Sequence, residues 1–155
     1  MDMYDYETAS YFYNKCLDIS TEDGHLKGES EAYLGLGKCE EAVLNIFHAK
    51  GNMEEAHKKA VEANLDQLGK QISKELVRVY QTIALQFSDQ NDFDKSLEYF
   101  QKCLDSSKRA EDRIMEAECY QKIGKIQEKL GDMDEAIKYL MMFLDLCEQE
   151  KNKTK

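Results

Sequence analysis

One short pattern recurs along the chain at a fixed interval. GNMEEA begins at Gly51, NDFDKS at Asn91 and GDMDEA at Gly131, so both steps are 40 residues. Each copy runs small or turn-forming, polar, apolar, polar or acidic, charged, then Ala or Ser. A period of this length means stacked supersecondary units, each burying its apolar face on its neighbours, rather than one closed globule.

Composition decides what the unit is. The 155 residues include no Pro, and 34% are charged. Runs of β-branched residues bounded by turn clusters, the mark of strands, do not occur. Helices remain. In the last copy Tyr120, Ile123, Gly124 and Leu130 recur at helical spacing, which predicts a first helix with one inward stripe. Gly131 and Asp132 predict its end: Gly as a left-handed cap, and Asp132 or Asp134 as acceptor for the free amides of the next helix. That second helix is expected to turn Met133, Ala136, Ile137, Leu140, Phe143 and Leu144 inward. Two helices joined so tightly form an αα-hairpin. Gly124 and Ala136 have almost no side chain, so the two helices can approach closely there. A glycine inside a helix costs about 1 kcal/mol against alanine, which argues for a packing need.

These residues resemble the tetratricopeptide repeat, whose pattern is aromatic, Leu-Gly, aromatic, Gly-Asp, aromatic, Ala, aromatic, then a small residue. The matches are Tyr120, Ile123–Gly124, Gly131–Asp132, Met133, Ala136, Leu140 and Phe143. The preceding copy gives Tyr80, Ile83–Ala84, Phe87, Asn91–Asp92, Phe93, Ser96, Phe100 and Cys103. The copy before that gives Val43, Phe47, Gly51–Asn52, Met53, Ala56, Ala60 and Ala63. The resemblance implies an all-α fold, a right-handed α-solenoid of antiparallel helix hairpins with about seven helices. A fourth, partial copy opens the chain with Tyr6, Ala9, Tyr13, Cys16 and Leu17. Ala9 and Ala56 are 47 residues apart, seven more than the period, which is two helical turns. The expected organisation is therefore the second helix of a partial repeat over 1–25, then a hairpin over 26–69 with an extended first helix, roughly Leu26 to Lys50. Two further hairpins follow over 70–109 and 110–150, and a polar tail over 151–155. The common repeat of this family is shorter; the long variant resembles that of certain spindle and ciliary scaffold proteins.

In this family the first helices line a concave, partner-binding groove. Carried over by position, the groove residues are Lys38, Glu41, Asn45 and His48, then Arg78, Gln81 and Leu85, then Gln121, Lys122 and Lys125. Side-chain amides among them can both donate to and accept from a peptide backbone. The two ends read differently. Tyr11 and Phe12 need a covering helix, and the last helix, with Met141 and Met142, is apolar nearly all round. Soluble solenoids close with polar faces. These end faces are expected to dock on partners, to stack end to end with other copies, or to continue in a longer array.

Chemistry is sparse. His25, His48 and His57 lie too far apart in sequence for a metal pair on one helical turn, although a turn at Gly51 would let His48 and His57 approach. Five cysteines, none in CxxC spacing, read as buried hydrophobes rather than disulfides or zinc ligands. No glycine-rich phosphate loop and no nucleophile elbow is present. Neither an enzyme nor a metal or other cofactor is expected. A net charge of −10 disfavours nucleic acid and anionic membranes and suits basic segments of other proteins. With no apolar run of 18 residues and an acidic N-terminus, the expected setting is the cytoplasm, with the cilium and its axoneme as the place the long repeat suggests.

Overall fold

The structure, a computed structural model, describes residues 2–154. They form seven α-helices: α1 (Met3–Glu22), α2 (Leu26–Ala42), α3 (Ile46–Glu62), α4 (Asp66–Asp89), α5 (Phe93–Arg109), α6 (Arg113–Leu130) and α7 (Met133–Lys153). No strand occurs among the described residues.

Every connection is built the same way. One residue in each takes a positive φ: Gly24, Leu44, Asn64, Asn91, Glu111 and Gly131. The amide of the residue after it donates to the carbonyl five residues back, at 2.8 or 2.9 Å, in all six. This is the left-handed helix stop that satisfies the last free carbonyls. Asp92, Asp112 and Asp132 then cap the following helices, accepting from the amides of Lys95, Met115 and Glu135.

The six left-handed residues give the true register. Leu44 − Gly24 and Asn64 − Leu44 are both 20, Asn91 − Asn64 is 27, and the last two steps are again 20. The chain is a helix-plus-turn unit of 20 residues, with one copy seven residues longer. The expected long first helix over Leu26–Lys50 does not exist: α2 ends at Ala42, and the seven extra residues lengthen α4, which has 24 residues against 17 in α2 and 18 in α6. Gly51 and Asn52 lie inside α3 rather than at a turn. His48 and His57 therefore share one helix instead of flanking a bend.

By contact the chain divides into two compact units, Met1–Val79 and Tyr80–Lys155. In the first, α2 has a glycine on each of two faces. A Cβ on Gly35 would run into the Tyr13 ring of α1, and one on Gly37 would come 2.7 Å from Met53 Cγ and 3.3 Å from the Ala49 carbonyl of α3. Ala49, Met53, Ala56 and Ala60 form the fully buried stripe of α3. Buried Ser30 donates to the Ala56 carbonyl at 2.7 Å. α1 has no fully buried residue; the Tyr6 hydroxyl ties it to α2 by donating to Glu40 Oε1 at 2.8 Å.

The second unit repeats the device. A Cβ on Gly124 would sit 2.8 Å from Leu140 Cγ and 3.3 Å from the Ala136 carbonyl. The set Gly124, Ala136 and Leu140 has the offsets of Gly37, Ala49 and Met53, so the small residue facing Gly37 is Ala49 rather than Ala56. In the middle hairpin Ala84 and Ser96 hold these places, and Ser96 Oγ donates to the Ala84 carbonyl at 2.8 Å. Phe100, Cys103, Cys119, Ile123 and Ile126 fill this core. α7 departs from expectation: Ala136 is buried, but Met133, Ile137 and Leu144 are exposed, Leu144 at 63%. Leu130 of α6 is exposed as well.

Candidate functional site

The first unit brings three of the groove residues into one ionic cluster. Arg78 Nε donates to Glu41 Oε1 at 2.6 Å and Nη2 to Glu41 Oε2 at 2.9 Å, a two-pronged fit of guanidinium to carboxylate. Arg78 also pairs with Glu75, one turn earlier on α4, and Lys38 Nζ lies 3.9 Å from the other Glu75 oxygen. The hydrogen bond to Glu41, then that to Glu75, holds the Arg78 guanidinium above its ordinary range, against the opposing effect of burial. These charges answer one another and fix α2 to the front part of α4. Asn45 and His48 are not on the first helix. Asn45 is the residue that precedes α3, and His48 stands in the first turn of α3. They pair with each other at 2.7 Å, and His48 lies 3.9 Å from Glu40.

The second unit brings together Leu85 of α4 with Lys122 and Lys125 of α6. They line a small cavity of about 120 Å³ together with Ser88, Phe100, Ile126 and Lys129. Leu85 is 38% exposed although it is a leucine beside a core. The cavity has apolar lining from Leu85, Phe100 and Ile126, and three lysines of α6 line it as well. Lys129 also lies over the Phe93 ring, 5.0 Å from its centroid. Gln81 and Gln121 hold matching, half-buried places on α4 and α6 but do not line the cavity. Sequence reasoning missed Lys129, Ile126 and Phe100 here. The signal was present: Lys122, Lys125 and Lys129 are spaced i, i+3, i+7, one face of a helix.

The candidate docking faces are exposed. Tyr11, Phe12 and Met141 are open, as are Tyr4 and Ile19 on α1 and Met133, Ile137 and Leu144 on α7. Met142, less open, lines a shallow cavity with Arg113, Glu116 and Tyr120. Among the described residues no group of three or more His, Cys, Asp or Glu side chains is placed to hold a metal ion. No helix among them is long and apolar enough to cross a membrane.

Residues 75–149 match the family model of the tetratricopeptide repeat. The chain is 26% identical over 143 residues to Tetratricopeptide repeat protein 29 of Trypanosoma brucei brucei; the match covers 92% of this chain and 30% of that protein. The chain therefore spans under a third of that relative's length. Among solved structures it is similar to BtubC (BKLC) of P. vanneervenii, with a TM-score of 0.55 at 17% identity, covering 95% of this chain and 58% of that one. MamA aligns over 98% of both chains, with a TM-score of 0.44 at 19% identity. The likeness to BtubC concerns the fold, an all-α array of antiparallel helix hairpins. With that array and its repeated left-handed turns, the chain is similar to the tetratricopeptide-repeat family, whose model its residues 75–149 match.

Proposed function

We propose that the chain is a protein-binding scaffold that grips an amphipathic, acidic segment of a partner along the α4–α6 face of its second unit. One observation carries this reading: an exposed Leu85 beside Phe100 and Ile126 in a cavity that Lys122, Lys125 and Lys129 also line. A polypeptide that seats an apolar side chain in that cavity and places carboxylates on the lysines satisfies both parts of the site. The net charge of −10 favours basic segments over the surface at large, but the local charge here is positive. The match of residues 75–149 to the tetratricopeptide repeat supports protein binding in general, and such a scaffold would work in the cytoplasm without chemistry of its own.

A second reading is a structural subunit of a large assembly, such as the ciliary axoneme, stacking through α1 and α7. The exposed apolar residues of those two helices favour it. Crosslinking mass spectrometry on partners captured by the full chain separates the two. The first reading expects crosslinks at Lys122, Lys125 and Lys129, and loss of capture in Leu85→Glu with Lys125→Glu. Crosslinks confined to α1 and α7, with capture intact in that variant, would overturn it in favour of the second.

A further inference from the structure

Among its described residues α1 has none that is fully buried, and Tyr4, Tyr11, Phe12 and Ile19 stand exposed on it. Tyr4 and Tyr11 are seven residues apart, as are Phe12 and Ile19, so the four lie along one face of the helix at the heptad interval. From Tyr4 to Ile19 that stripe runs about 22 Å along the helix axis. The charges on α1 are mostly of one sign. Asp5, Glu7, Asp18 and Glu22 are all exposed, and the one basic residue of the helix is Lys15. None of these four carboxylates has an ion pair among the described residues. The Lys15 ammonium lies over the Tyr11 ring, 5.6 Å from its centroid, so a cation on an aromatic face is already part of this surface.

We propose that this face docks a basic amphipathic helix of a partner protein, about 15 residues long, laid alongside α1. The apolar side of the partner covers the aromatic and isoleucine stripe, and its Lys or Arg flanks meet the unpaired carboxylates. Other occupants fit worse. A second copy of α1, laid antiparallel about Tyr11 and Phe12, sets Asp5 against the copy's Asp18; laid parallel, it sets each carboxylate against itself. An acidic segment meets the same repulsion. A polyamine answers the charges but leaves the stripe open to water. The charge argument is particular to α1: α7 is also apolar and exposed, but its exposed carboxylates and lysines number three each, so its charge selects no partner. The lysine-lined cavity of the second unit would repel a basic helix, so the two surfaces take different partners.

The test is fluorescence anisotropy of the full chain with a labelled helical peptide of Leu and Lys, its leucines at heptad spacing. A scrambled peptide of the same composition is the comparison. The expected result is saturable binding of the heptad peptide, about tenfold tighter than that of the scrambled one. Tyr11→Ala with Ile19→Ala, at exposed positions, is expected to weaken it about tenfold. Asp18→Asn with Glu22→Gln, which leaves the stripe intact, is expected to weaken it in the same direction and to lower its salt dependence. The control pair Glu55→Gln with Glu62→Gln makes the same change in net charge at exposed positions of α3 and is expected to stay within about twofold of the parent. No saturable binding, equal binding of the scrambled peptide, full affinity in either α1 pair, or an equal loss from the α3 pair would overturn the proposal. So would tighter binding of a Leu and Glu peptide of the same pattern, or self-association of the chain that Tyr11→Ala with Ile19→Ala abolishes.

Discussion

The thiols carry a residue-scale prediction with a sign that can be checked. Cys119 is held protonated above its ordinary range first by its hydrogen bond with Cys103 and then by burial. Burial, then the nearby Glu40 carboxylate, does the same to Cys39. In the unfolded chain both would ionise near 9.0. Their contribution is fully present below that pH and is lost as pH rises, because the unfolded state alone releases protons there. The urea midpoint is therefore expected to be level between about pH 7 and 8 and lower at about pH 10, with a smaller fall in Cys119→Ala. An equal or higher midpoint at the alkaline pH would contradict the buried thiol pair. Cysteine burial at Cys39, Cys103 and Cys119 was legible from sequence, since these residues fall inside apolar helical patterns. Cys147 shares such a pattern and is exposed, because the neighbours of α7 cover only part of that helix. The positive φ of Leu44 was not legible. A left-handed conformation costs a branched residue about 1–2 kcal/mol, and nothing in a leucine announces it.

Among the elements, the closest approaches of helix to helix decide stability. Gly124→Ala gains about 1 kcal/mol of helix propensity. Against this, the new Cβ would lie 2.8 Å from Leu140 Cγ, an atom at a branch point rather than at a free end. Overpacking of this kind costs about 1–3 kcal/mol, so the substitution is expected to destabilise by about 1 kcal/mol net in urea unfolding. A raised midpoint would mean that α6 and α7 are not so close. The partnership of Gly124 and Ala136 is readable in advance because side chains missing from two successive helices mark a place where backbones meet. The outward turn of Met133, Ile137 and Leu144 is not. A helix apolar on several faces does not say which of them its neighbours cover, and here only Ala136 and Leu146 of α7 are buried. The α4 extension is half legible: the spacing counts seven extra residues but places them in α2, where the turn at Leu44 leaves no room for them.

For the whole molecule the register of the six turns is the property on which every placement rests. It decides that Lys38 and Glu41 share a helix with Gly37, that Asn45 and His48 do not, and that the front of α4 is an extension. The 40-residue step from Asn91 to Gly131 is real, but the step from Gly51 to Asn91 joins a helix interior to a turn. The false step is persuasive because Gly-Asn is turn chemistry, while the true stop at Leu44–Asn45 lacks a glycine. Urea unfolding of Leu44→Gly and Gly51→Ala tests the register most directly. Leu44 is 88% exposed, so glycine there relieves strain while sacrificing little burial. A Cβ on Gly51 meets nothing within 4 Å, so alanine there gains helix propensity without a clash. Both variants are expected to be more stable than the parent, by about 0.5–1 kcal/mol each. A Gly51→Ala variant that is less stable, together with a Leu44→Gly variant that gains nothing, would put the turn back at Gly51 and contradict the account.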